Sequence, residues 1–170
     1  WSLATAKHPA RVIGDAHYEV AAQLGREKLT DMPGLNEFIA AMEKVFNAAD
    51  PDGLALFAAY KSMPLAQDTP ARAMQLAVSL REFRGSAHLI AVRAVGLTSK
   101  QAHYVKRPND MKNFGWGEDD VPHVDDQVRA LMVQAENLTD ALCIPAYAVL
   151  NDAERKALVD GTKAFEAALK

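Results

Sequence analysis

A long helical stretch that is followed almost at once by a second helix start constrains this chain more than any other feature. Asp68 or Thr69 can cap the long helix, and Gly96 is a typical stop in the left-handed conformation. Thr98 and Gln101 then have the spacing of a capping box, in which each side chain satisfies a backbone N–H of the other residue. Two helices joined by such a short, glycine-containing turn predict a helix-turn-helix.

Helical spacing of apolar residues continues on both sides of this pair. The periodicity predicts further helices over 9–29, 35–46, 54–62, 119–137 and 152–169. Residues 141–144 and 147–150 are apolar and flank Pro145, so they predict two short strands around a tight turn. The order of elements predicts a mainly α fold: a helical N-terminal segment, 1–66, and a winged helix-turn-helix domain, 67–170, with a small two-stranded β wing.

Composition restricts the class of protein more than its activity. Apolar residues make up 49% and charged residues 24% of the 170 residues, which is typical of a soluble globular protein. No apolar run approaches the ~20 residues that cross a bilayer, so we expect no membrane partner. The one cysteine, Cys143, cannot form an internal disulfide, and a cytoplasmic location is therefore expected. We expect no cofactor, because a glycine-rich phosphate loop, a CxxC pair and a GxSxG motif are all missing from the sequence.

Charge is distributed unevenly along the chain, although the formal net charge is only −3. Residues 70–116 contain eight basic and two acidic residues, a net charge of +6. Residues 117–140 contain seven acidic residues and one basic residue, a net charge of −6. Two interpretations remain open: the segments neutralise each other within the fold, or the first offers a basic face to an anionic partner.

Two segments and two dipeptides carry a family resemblance. They are 56–64 (LFAAYKSMP), 80–88 (LREFRGSAH), Gly96-Leu97 and Gly115-Trp116. In this order they resemble the SalK-like family of actinobacterial helix-turn-helix-type proteins, which occur around specialised-metabolite clusters. The resemblance implies a helix-turn-helix fold and no established reaction. Members of that family are longer, so the resemblance implies that this chain corresponds to the C-terminal two-thirds of the family pattern.

The segment 80–88 departs from the family pattern at two positions. Phe83 and Ser86 stand where the resemblance implies histidine and aspartate, whereas Arg84 and His88 are retained. A polar set that bound a metal or performed chemistry in the family would therefore be incomplete here. A missing N-terminal region would also leave an apolar stripe uncovered, so we expect a homo-oligomer or a companion chain.

The first candidates for a binding site are Arg81, Arg84 and His88. They are spaced at i, i+3 and i+7 on the long helix and therefore share one face. Arg84 could hold a carboxylate or phosphate through two parallel hydrogen bonds, with His88 as a further donor. The alternative is a structural role, in which Arg84 bridges to an acid or to the carbonyls of a helix end. No catalytic residue is assigned.

A second candidate surface lies on the short helix and the loop that follow the turn. Its basic and histidine side chains are Lys100, His103, Lys106, Arg107 and Lys112. These side chains are typical of a surface that contacts a nucleic-acid backbone. The next predicted helix opens with carboxylates that repel phosphates, so DNA is the less favoured partner.

A possible metal face lies in the same acidic helix. Asp119, His123 and Asp126 recur there at i, i+4 and i+7, which could place three ligands for a hard metal on one side. Acids at a helix start also compensate the helix dipole. We prefer this second explanation and predict no metal site.

Three functions follow from these patterns, in order of preference. The first is a winged-helix-type protein that binds a small ligand or a protein partner, with a regulatory role in actinobacterial metabolism. The second is an enzyme or biosynthetic accessory protein with a pocket around Arg81, Arg84 and His88. The third is a DNA-binding transcriptional regulator. The sequence leaves open whether the chain is an enzyme and favours a non-enzymatic role.

Overall fold

The computed structural model describes residues 6–170 of the chain. This part contains seven α-helices, numbered here in chain order: α1 (Ala10–Lys28), α2 (Leu35–Ala48), α3 (Ala55–Lys61), α4 (Thr69–Ala94), α5 (Ser99–Lys106), α6 (Asp126–Tyr147) and α7 (Asp152–Ala168). Two 3-10 helices, Pro108–Phe114 and Glu118–Asp120, lie between α5 and α6. The helices predicted over 9–29, 35–46, 54–62 and 152–169 are confirmed, as is the long helix that begins at Thr69. None of the described helices combines the length and apolar character that crossing a bilayer requires.

The predicted two-stranded β wing is wrong. Residues 141–147 continue α6, and no β-strand occurs anywhere in residues 6–170, so the described fold is all-helical. Buried side chains recur every three or four residues through this segment, which is the period of a helix and not of a strand. They are Val128, Met132, Ala135, Thr139, Cys143, Ala146 and Leu150. Pro145 is tolerated in the last turn of α6, because the carbonyl that it leaves without a donor belongs to the exposed Ala141 and can be solvated.

Helix α6 also begins later than the predicted residue 119. Val121 precedes Pro122 and is extended, because proline disfavours the helical region for the residue before it. Asp125 caps the helix instead, since its carboxylate accepts a 2.9 Å hydrogen bond from the backbone N–H of Val128. This hydrogen bond is the largest of the effects that lower the pKa of Asp125 below its ordinary value.

The later start removes the geometric basis for the metal face. Asp119 lies in the 3-10 helix and His123 in the irregular segment before α6, so they share no helix face with Asp126. In residues 6–170 no group of three His, Cys, Asp or Glu side chains could hold a metal ion.

The described residues divide into two compact units. Arg84–Ile144 form the second unit, and the described residues up to Phe83 form the first together with Pro145–Lys170. The core of the first unit is centred on Phe57, which is completely buried and lies 5.0 Å from the Phe83 ring, measured between centroids.

The helix-turn-helix lies where the sequence predicts it, at the junction of α4 and α5. Gly96 has a φ of 89°, a left-handed conformation that side chains with a Cβ rarely adopt. The N–H of Gly96 donates to the carbonyl of Arg93, and the N–H of Leu97 donates to that of Val92. These two hydrogen bonds form a Schellman motif. The predicted capping box at the start of α5 is also present.

A hydrophobic core holds the end of α4, α5 and the adjoining part of α6 together within the second unit. Its buried members are Val92, Leu97, Ala102, Val128, Met132 and Ala135. The same three helices line the cavity of this unit.

Candidate functional site

A cavity of about 540 Å³ lies in the second unit, between the end of α4, α5 and α6. This volume falls within the ~300–1,000 Å³ that small-molecule sites occupy. The polar side chains in its lining are Arg84, His88, Ser99, His103, Lys106, Arg107 and Glu136. With the histidines neutral, three cations and one carboxylate give the lining a net charge of +2.

Glu136 holds two of the three cations. The guanidinium of Arg84 donates to one oxygen of its carboxylate and the ammonium of Lys106 to the other, both at 2.9 Å. Burial raises the pKa of Glu136, but the hydrogen bonds from Lys106 and Arg84, together with the nearby positive charge, lower it by more, so the pKa lies below its ordinary value. Glu136 is therefore ionised at neutral pH.

Arg107 is the cation of the cavity that has no acidic partner within residues 6–170. It follows the last residue of α5 and is exposed. Its guanidinium offers several N–H donors in one plane, a geometry that matches carboxylate and phosphate oxygens. Arg107 is therefore the side chain that an incoming anion can bind without displacing an internal partner.

The hydrogen bonds of Thr139 fix the orientation of His88. The Thr139 hydroxyl donates to the carbonyl of Ala135 at 2.7 Å, which uses its one hydrogen. The 2.9 Å contact between Nδ1 of His88 and Oγ1 of Thr139 therefore has the imidazole as donor. This leaves Nε2 as the second ring nitrogen of His88, an acceptor when the ring is neutral and a donor when it is protonated.

His103 contributes a buried polar atom that has no partner. Its Nε2 makes no hydrogen bond with any group in residues 6–170. Its ring packs edge-on against Phe114 and Trp116, with centroid distances of 4.5 and 5.8 Å. A buried nitrogen without a hydrogen bond is unusual in native proteins and often marks the position of a missing polar partner.

The helix-turn-helix geometry agrees with a comparison to protein families. The model of a family described as a helix-turn-helix family matches residues 1–170. The chain belongs to this helix-turn-helix family. The match confirms the helix-turn-helix part of the resemblance seen in the sequence and does not extend to the narrower SalK-like or actinobacterial grouping. No curated protein and no solved structure gives a significant match.

In this helix-turn-helix protein, two of the three residues of the first candidate site come together. Arg84 and His88 both line the cavity. The Arg81 side chain is 79% exposed, pairs with Glu82 and does not contribute to the lining. The internal bridge that the sequence offered as the alternative role of Arg84 is present, with Glu136 as the acid.

The basic set on and after α5 is also divided by the fold. The members that line the cavity are His103, Lys106 and Arg107. Lys100 pairs with Asp120 at 2.7 Å, and Lys112 is exposed without an ion pair among residues 6–170. Neutralisation between the basic and acidic segments, one of the two interpretations of the charge pattern, therefore occurs at Lys100, and it also occurs at Arg84 and Lys106 through Glu136.

Sequence reasoning missed Glu136 and Thr139. A signal for both exists, because each lies on or beside the stripe of buried residues along α6. Nothing in a single sequence shows their partners, since Glu136 is 52 residues from Arg84 and Thr139 is 51 residues from His88.

Proposed function

We propose that this helix-turn-helix protein binds a small anion in the cavity of its second unit. The observation that carries the proposal is the charge of the lining, which contains three cations and one carboxylate. Carboxylates and phosphates are the anions whose oxygens match a guanidinium and an ammonium group. Val92 of α4, which is buried, adds an apolar wall to the same lining.

Binding would begin at Arg107, which has no internal ion pair, and would continue at Lys106 and Arg84. Each of these two cations makes its ion pair with a single oxygen of Glu136 and has further N–H groups to donate. A ligand anion can therefore join Glu136 on the same cations. His88 Nε2 would add a further contact when the imidazole is protonated, because Nδ1 carries the hydrogen of the neutral ring.

Titration calorimetry with sulfate and with inorganic phosphate, at constant ionic strength made up with chloride, tests this proposal. We expect saturable binding at one site. Arg107→Ala should weaken it about tenfold or more, because a charge-assisted hydrogen bond contributes ~1.5–3 kcal/mol.

Lys112→Ala is the matched control. Lys112 is a cation of the same loop region, has no ion pair among residues 6–170 and does not line the cavity. Its removal should leave the affinity unchanged. If Arg107→Ala and Lys112→Ala weakened anion binding equally, binding would depend on the overall charge of the surface and not on the cavity. The proposal would then be wrong. Absence of saturable binding at low ionic strength would also contradict it.

Family membership favours a second candidate function, DNA binding. The logarithm of a DNA-binding constant falls with the logarithm of salt concentration by ~0.9 for each phosphate neutralised. Arg107 and Lys112 are free to contact phosphates, which gives an expected slope of about −1.8. A slope of about −3.6 would require Lys100 and Lys106 to contact phosphates as well, and both would first have to break their ion pairs with Asp120 and Glu136. An electrophoretic shift over a salt series measures this slope, and no shift at low salt would exclude the candidate.

A further inference from the structure

A stack of aromatic rings begins at the wall of the cavity. His103 lines the cavity, and its ring lies 4.5 Å from Phe114. Phe114 in turn stacks on Trp116, with 5.0 Å between centroids and 22° between ring planes. The ammonium of Lys100 lies over the Trp116 ring, 5.3 Å from its centroid. The stack is therefore held at the Trp116 end by a cation–π contact.

The backbone between the two outer rings fixes this arrangement. Phe114 ends the 3-10 helix Pro108–Phe114, and Gly115 follows it with a φ of 72°. This left-handed turn brings Trp116 back toward the helix. The backbone N–H of Trp116 donates to the carbonyl of Met111 at 3.3 Å. The Met111 side chain is buried. The position of the Phe114 ring is thus set by the local fold.

Phe114 nevertheless remains 57% exposed. More than half of the surface of this residue is therefore accessible to a ligand, and aromatic rings pack on flat groups in stacked or edge-to-face arrangements. Phe114 does not line the cavity itself but contacts His103, which does. An exposed ring and a positively charged cavity are therefore neighbours, an arrangement that suits a flat apolar group carrying a negative charge.

We infer that the anion taken by this cavity carries an aromatic ring, which stacks on Phe114 while its carboxylate or phosphate contacts Arg107, Lys106 and Arg84. This inference rests on the proposed function and specifies its class of ligand.

Phenyl phosphate and methyl phosphate test the inference, because both are phosphate monoesters and only one has a ring. Calorimetry should show phenyl phosphate binding about tenfold tighter, a difference of about 1.4 kcal/mol that lies within the range measured for aromatic stacking. In Phe114→Ala this preference should fall to less than about threefold. The affinity for methyl phosphate should not change, and Phe114→Tyr, which keeps the ring, should keep the preference.

Val133→Ala is the matched control, because Val133 is an apolar residue of the same unit that is 61% exposed and does not line the cavity. It should change neither affinity. Thermal melting of each variant establishes that it is folded, which we expect for substitutions at such exposed positions.

Four outcomes are decisive. The inference is supported if Phe114→Ala loses the preference for phenyl phosphate while Phe114→Tyr and Val133→Ala keep it. Equal binding of the two esters overturns it and leaves the proposed anion site intact. A preference that persists in Phe114→Ala overturns it as well, since the ring would then lie elsewhere. Binding of neither ester overturns both the inference and the proposed function.

Discussion

Replacing Glu136 with glutamine is expected to lower the stability of the protein and to raise its affinity for anions. The substitution keeps the size of the side chain and removes its charge. Arg84 and Lys106 then lose the carboxylate that each contacts at 2.9 Å. The same two cations become fully available to a ligand. A purely structural role for Glu136 would lower stability without strengthening anion binding, so the opposite signs distinguish the two roles.

The magnitudes of both effects follow from the exposure and spacing of these groups. The side chains of Arg84 and Lys106 are 51% and 53% exposed, so each ion pair has the weak strength of a surface pair. At ~0.2–1 kcal/mol for each pair, the loss in free energy of unfolding is about 0.4–2 kcal/mol. A carboxylate and a sulfate that share a cation lie roughly 6 Å apart, and because sulfate carries two charges their repulsion is roughly 1.4–5.5 kcal/mol between dielectric constants of 80 and 20. Removing it should tighten sulfate binding about tenfold or more.

The pH dependence of protein stability gives an independent check on the sign of the stability change in Glu136→Gln. The folded-state pKa of Glu136 lies below its ordinary value of 4.5, because the hydrogen bonds from Lys106 and Arg84, together with the nearby positive charge, outweigh the effect of burial. Its contribution to stability is therefore complete above about pH 4.5 and is lost as the pH falls through the lowered pKa. The difference in stability between the natural protein and the glutamine variant should be constant near neutral pH. It should then shrink in acid.

Urea denaturation measures the stability and calorimetry with sulfate the affinity. Asp140→Asn is the control, because Asp140 is an exposed acid one turn further along α6 that makes no ion pair with another described residue. It should leave both quantities nearly unchanged. Weaker sulfate binding in Glu136→Gln, or the same gain in Asp140→Asn, would refute the reasoning.

The remaining predictions concern packing and the single cysteine. Gly161→Ala should lower the free energy of unfolding by about 1–3 kcal/mol, because the new Cβ would lie 2.3 Å from the ring of the buried Phe38. Gly14→Ala should instead raise it by up to about 1 kcal/mol, since the Cβ of this helical position meets no described atom closer than 3.7 Å. Urea denaturation of the two variants tests both signs. Burial raises the pKa of the Cys143 thiol, so an aromatic disulfide reagent should label it about a hundredfold more slowly in the native state than in urea.

The sequence predicted those parts of the fold that depend on local chemistry. The turn at Gly96 and the capping box of Thr98 and Gln101 are properties of neighbouring residues, and both are present in the structure. The error at residues 141–150 came from giving Pro145 and the short apolar segments on either side of it more weight than the periodicity of the buried residues. That periodicity continues through this segment at Cys143, Ala146 and Leu150 with the spacing of a helix.

The candidate site was predicted only in part, because ion pairs between distant residues cannot be read from one sequence. Arg84 and His88 were found from their spacing on one helix. Glu136 was counted only as one acid among seven, although it determines the charge state of the cavity. Arg107 was assigned to a nucleic-acid surface, whereas the structure also places it in the lining of the cavity.

Arg107 is a contact residue in both candidate functions, and its one side chain cannot serve both partners at the same time. A guanidinium that holds a ligand anion in the cavity cannot also neutralise a DNA phosphate at full strength. If both activities exist, an anion that fills the cavity must weaken DNA binding, and DNA must weaken anion binding by the same factor. Losing one phosphate contact would reduce the expected salt slope from about −1.8 to about −0.9. A shift assay with sulfate against chloride at equal ionic strength measures this coupling. An unchanged DNA affinity with the cavity saturated would mean that Arg107 serves only one of the two partners.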